Sequence, residues 1–133
     1  MKKVPYDTLN SRQKENYNFH KVAAILADYG FTSIRLSDDW QGADFIAQHI
    51  DGQTSIRAQL KGRMSIDKKY IGKNLHICFP YEDEWYLFPY DEVVKHLLTT
   101  SNIEKTSSWQ EQGAYSFSVI SNEYLEYFQK FRL

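Results

Sequence analysis

Three side chains within residues 42–63 carry chemistry that their spacing can unite: the carboxylate of Asp44, the amide of Gln59 and the ammonium of Lys61. The stretch reads GADFIAQHI, then Asp51-Gly52, then QTSIRAQLKGR. Asp-Gly between two alternating runs is a strong hairpin signal. A two-residue turn at Asp51 and Gly52 sets Ile50 against Gln53 and Asp44 against Gln59. Opposed residues bring their Cβ atoms to about 4.5–5.5 Å, and Lys61 becomes the diagonal neighbour of Asp44. Arg57, Gln59, Lys61 and Arg63 then point one way, while Ile56, Ala58 and Leu60 join Phe45 and Ala47 on an apolar face. Hard oxygen donors beside an ammonium suit metal-assisted hydrolysis of a phosphodiester. A three-residue turn would slip the register by one and send Asp44 and Gln59 to opposite faces. A solvated polar row needs no function, and an exposed carboxylate–lysine pair contributes little energy. On the hairpin alone, that simpler reading is favoured.

The elements that must hold this hairpin are legible around it. Asn10 or Ser11 caps a helix, with Gln13 at capping-box distance from Asn10. Phe19, Val22, Ala23 and Leu26 form its apolar stripe, and Gly30 ends it. Residues 31–36 are rich in strand formers, and Ser37-Asp38-Asp39 reads as a turn. Residues 64–74 show no helical stripe and read as a loop. Residues 75–80 and 85–88 read as strands joined by an acidic turn, followed by a helix over residues 91–98 behind Pro89. Residues 99–108 read as a polar surface loop, residues 115–120 as a last strand, and Ser121 opens a terminal helix. The order predicts a mixed sheet with helices packed on it.

Composition narrows the class. The chain has 133 residues, 42% of them hydrophobic and 16% aromatic, enough for one folded domain over residues 1–133. Its formal net charge is -1, so attraction to nucleic acid must come from a local patch. The single Cys78 allows no disulfide within the chain and no thiolate metal cluster. The sequence contains no apolar run of membrane-spanning length and no apolar segment behind Lys2 and Lys3, which predicts a cytoplasmic protein away from membranes.

A capped helix carrying Glu15, a strand opening with Gly42-x-Asp44, and Gln59-x-Lys61 on the next strand resemble the PD-(D/E)XK nuclease superfamily. The pattern is most similar to its Mrr-type group, in which glutamine stands at the middle acidic position. The likeness covers residues 11–63 well and the remainder loosely. It implies a restriction-endonuclease-like α/β (α+β) fold and a DNA endonuclease. In that family's manner Asp44, the Gln59 side chain and the Leu60 backbone carbonyl would bind Mg²⁺ or Mn²⁺, with Glu15 aimed at the same ion. Lys61 would orient or help deprotonate the attacking water and stabilise charge on the phosphate. The sequence departs from the pattern in two places: Gln59 replaces a carboxylate, and Ala43 stands where the family has proline. The family's usual crossover helix between its third and fourth strands is also missing from residues 64–74. The 75–88 hairpin is therefore read as an insertion, and the helix over residues 91–98 as the crossover. Two cuts on a duplex would favour a homodimer. The alternative is a catalytically inactive module of the same fold that binds nucleic acid or a protein partner.

Residues 57–73 hold six basic side chains (Arg57, Lys61, Arg63, Lys68, Lys69, Lys73) against one acid, Asp67. Beside the motif, this local +5 is read as contact to a phosphate backbone, foremost through Arg63 and Lys69. Tyr70 serves either stacking on a base or packing. The four histidines lack metal-ligand spacing, Glu82-Asp83-Glu84 reads as a solvated hairpin tip, and Trp40 is read as packing on the sheet edge.

Overall fold

A computed structural model describes residues 1–133 apart from the side chain of Asp39. Helix α1 (Ser11–Asp28) starts at Asn10. The Asn10 side chain accepts from the Gln13 amide, and the Gln13 side chain accepts from the Asn10 amide, both at 2.9 Å. This reciprocal cap satisfies two of the orphan donors every helix start exposes. The helix ends at Gly30, whose φ of 82° is left-handed.

Strand β1 (Phe31–Trp40) pairs antiparallel with β2 (Ala43–His49), which pairs antiparallel with β3 (Ser55–Leu60). The expected turn at Ser37-Asp38-Asp39 does not form. There β1 bulges, and its register shifts between Arg35 and Trp40. The chain reverses instead at Gln41 and Gly42, with φ of 54° and 94°, between the paired Trp40 and Ala43. Positive φ at both central residues matches the strand twist that a two-residue hairpin needs. Gly42 has a second reason to be glycine, since a Cβ there would lie 2.6 Å from the Tyr70 ring.

The β2–β3 connection is wider than the two-residue turn expected. Strand pairing stops at Gln48 and Ser55, His49 N donates to Thr54 O, and residues 50–53 form the loop. The loop opens by one residue on each side, so the register survives: Phe45 faces Ala58 and Ala47 faces Ile56. Asp51 shapes this loop, its Oδ1 accepting from the Gln53 and Thr54 amides and its Oδ2 from the Thr54 hydroxyl.

Further corrections concern residues 64–120. Strand β4 (Ser65–Asp67) and the single turn Lys68–Tyr70 occupy much of the expected loop. Strand β5 (His76–Tyr81) lies parallel to β3 and antiparallel to β6 (Glu84–Pro89), giving a sheet ordered β1-β2-β3-β5-β6. The 75–88 hairpin is thus integral to the sheet and not an insertion. Helix α2 (Tyr90–Thr100) follows β6 and does not cross between β3 and β5. Residues 99–108 are not an open loop either: α2 runs into them, and Ile103 is buried. The last strand, β7 (Ala114–Ser116), is shorter than expected because it pairs only with the short β4. Helix α3 (Asn122–Phe128) closes the chain, and the Leu133 amide donates to the Trp85 carbonyl on β6.

Both faces of the sheet's middle are covered. Phe19, Val22 and Leu26 of α1 pack on Phe45, Ala47, Ala58 and Cys78. The other side is a larger core in which Ile77, Phe79 and Phe88 meet α2, α3 and β4. Trp40, expected on the sheet edge, is 59% exposed at the β1–β2 turn.

Candidate active site

The expected facing of Asp44 and Gln59 follows from the observed register. Asp44 Oδ2 accepts from the Leu60 amide at 2.8 Å, which fixes the carboxylate against β3. Gln59 is only 5% exposed, contrary to the solvated polar row that an outer hairpin face suggests. The reason is topological: β3 is internal, with Gln59 paired to Ile77 of β5, and the second core covers that face. Gln59 Oε1 is buried with no hydrogen-bond partner. Leaving such an oxygen unsatisfied costs about 1–3 kcal/mol. Lys61 lies one residue past β3, its amide donating to the Cys78 carbonyl at 2.8 Å. Its Nζ sits 5.6 Å from the centroid of the Tyr70 ring.

Glu15, Asp44, Gln59, Leu60 and Lys61 all line one cleft of about 630 Å³, between the first turns of α1 and the ends of β2 and β3. Glu15 is exposed and ion-paired there, 3.7 Å from Arg12 and 3.5 Å from Arg35. Arg35 also bonds Asn16. Arg12, Lys14 and Arg35 line the cleft as well, so cations stand on both of its walls. Sequence reasoning missed these three. Arg12 and Lys14 flank Glu15 on the helix and carried a local charge signal, whereas only the β1–β2 register brings Arg35 alongside Phe45, one residue from Asp44.

The basic segment is not a uniform cationic face. Arg57 donates to the carbonyls of Trp40 at 3.1 Å and Lys73 at 3.4 Å, tying the β1–β2 turn to the following loop. Lys68 lies over the Trp109 ring at 5.2 Å. Lys69 lies over Tyr70 at 4.9 Å and 3.9 Å from Asp67. Arg63 and Lys73 are exposed. Tyr70 takes a packing role, seated on Gly42 and edge-on to Tyr90.

Among the described residues, no three His, Cys, Asp or Glu side chains converge as a metal cage. The oxygens in the cleft nonetheless fit a hard divalent ion. Mg²⁺ is commonly held by one or two carboxylates with waters completing its shell. Asp44 supplies a carboxylate, and the orphaned Gln59 Oε1 is a buried acceptor that a cation would satisfy.

These features define the class of fold: a mixed five-stranded sheet flanked by helices, in the restriction-endonuclease-like arrangement expected from the sequence. The fold is similar to that of a bacterial homing endonuclease, with a TM-score of 0.50 and 11% identity, covering 92% of this chain and 94% of that one. A Holliday junction resolvase of Archaeoglobus fulgidus superposes over 53% of this chain and 74% of its own, with a TM-score of 0.41 and 14% identity. No family model and no curated protein sequence matches the chain. No helix among the described residues is long and apolar enough to cross a membrane.

Proposed function

We propose that this chain is a metal-dependent endonuclease that hydrolyses phosphodiester bonds in DNA within the cleft. The observation that carries the reading is the gathering of Asp44, Gln59 and Lys61 in one cleft, with the buried Gln59 Oε1 unpaired. The likeness in fold to an endonuclease supports it. Asp44, Gln59 Oε1 and the Leu60 carbonyl would hold Mg²⁺ or Mn²⁺, and Glu15 would join them on release from Arg12 and Arg35. A bound ion there supplies Lewis acidity towards the phosphoryl oxygen and towards a water. Lys61 orients the attacking water and stabilises charge developing on the phosphate. Arg63, Lys68, Lys69 and Lys73 hold the strand's backbone, with Lys14 on the opposite wall. Arg57 bonds backbone carbonyls and so adds charge to this surface mainly at a distance. Two cuts on a duplex call for two copies, so a homodimer is the proposed working unit, in a reducing cytoplasm that suits a lone buried cysteine.

Plasmid nicking in Mg²⁺ or Mn²⁺ tests this directly. Asp44→Ala and Lys61→Ala should each lower nicking by about 10²–10³-fold while the circular dichroism spectrum is unchanged. The second reading, an inactive module that binds nucleic acid or a protein partner, is favoured by the pairing of Glu15 with two arginines and by the neutral Gln59. Absence of cutting on duplex, branched and single-stranded DNA with either metal would select it.

A further inference from the structure

A second groove, of about 200 Å³, adjoins the main cleft at Gln59, Lys61 and Tyr70. It runs between the β4–β7 pair and the helical turn Ser108–Gln112. Its walls are fixed by bonds that have no evident role in the proposed hydrolysis. The Tyr90 hydroxyl bridges the amide and carbonyl of Asp67. Lys68 N donates to Gly113 O at 2.7 Å, Phe117 N to Met64 O at 3.0 Å, and the Ser108 hydroxyl to Ala114 O at 2.6 Å. Tyr70, Tyr115 and Gln112 line it. A π-face, an amide able to donate and accept, and an adjoining ammonium form a chemical set that takes a nucleobase.

We infer that this groove receives a single unstacked base of the DNA strand whose phosphate lies at Lys61. The inference rests on the DNA reading of the main cleft and extends it to a substrate class. The groove has room for one base and none for a base pair, so the chain selects DNA with an unpaired nucleotide beside the phosphate it engages. Extruding a base from an intact duplex costs a few kcal/mol, and an already unpaired base avoids most of that. Tyr115 supplies the stacking surface, and Gln112 contacts the base edge.

The test is binding of the full chain, by fluorescence anisotropy in Ca²⁺, to three duplexes: fully paired, carrying one bulged thymine, and carrying an abasic residue at the same bulge. The thymine bulge should bind about tenfold tighter than the abasic bulge, the scale of one base–aromatic stack. Tyr115→Leu keeps apolar packing against Phe117 and should erase that difference, and Gln112→Ala should reduce it. Equal affinity of the wild-type chain for the thymine and abasic bulges overturns the inference, as does a thymine preference that survives both substitutions. Failure of the nuclease reading alone looks different: the thymine preference is present, yet no substrate is cut in Mg²⁺ or Mn²⁺. No binding to any of the three duplexes overturns both.

Discussion

Gln59 is the residue on which the chemistry and the stability of this chain pull in opposite directions. Its Oε1 is buried without a partner, in a strand that has Ile77 beside Gln59 on one flank and Asp44 on the other. Replacing it with an apolar residue of similar size removes the unsatisfied oxygen. Gln59→Leu should therefore leave the thermal midpoint unchanged or raise it, while abolishing Mg²⁺-dependent nicking. A fall in midpoint comparable to a core cavity would show that Oε1 is structurally required. Glu15 contrasts with it, being exposed and held by Arg12 and Arg35 at ordinary ion-pair distances. Such surface pairs contribute about 0–1 kcal/mol, so they yield readily to a cation. Asp44, Gln59 and Lys61 were legible as a set because a period of two and a turn signal fix which side chains share a face. The burial of Gln59 was not legible, because a hairpin's sequence does not say what lies on its far side.

At the scale of elements, two turns set the site's geometry. The β1–β2 turn places Gly42 under the Tyr70 ring with φ of 94°. Gly42→Ala combines a strained backbone with a clash at 2.6 Å, and should destabilise the fold by more than about 1 kcal/mol in denaturant titration. It should also displace Tyr70, and with it the Lys61 ammonium that rests over the ring. The β2–β3 loop is organised by Asp51, whose carboxyl is held well below the usual range. The Thr54 hydroxyl contributes most, then the Thr54 and Gln53 amides. Because its folded pKa is depressed, Asp51 adds stability above the unfolded carboxylate value. That contribution is lost as pH falls through the lower folded value. Asp51→Asn should thus flatten the loss of stability seen below about pH 4, compared by denaturant midpoints across an acid series. The sequence placed this turn correctly and mistook its width, and the register survived because the loop grew evenly on both strands. It misplaced the β1 turn because Ser37-Asp38-Asp39 has turn composition, while the twist of β1 against β2 is met at Gln41 and Gly42.

At the scale of the whole molecule, a net charge of -1 means that affinity for DNA must come from where the cations sit. Arg63 and Lys69 lie in the basic segment, and Lys14 lines the wall that α1 contributes to the cleft. Each of Arg63→Ala, Lys69→Ala and Lys14→Ala should reduce the slope of log affinity against log salt by about 1. A slope unchanged by Lys14→Ala would confine the DNA to the Lys61 side. By itself the sequence determined the capped α1, the β2–β3 register, the terminal helix and the class of fold, since each is set by local periodicity, capping or turn chemistry. Only the tertiary structure decided that β5 pairs parallel to β3, that Arg35 and α1 complete the cleft, and that β4 and β7 wall a second groove. These depend on pairings between residues far apart in the chain. No local pattern encodes them, because the free energy that selects them arises only when the whole core closes.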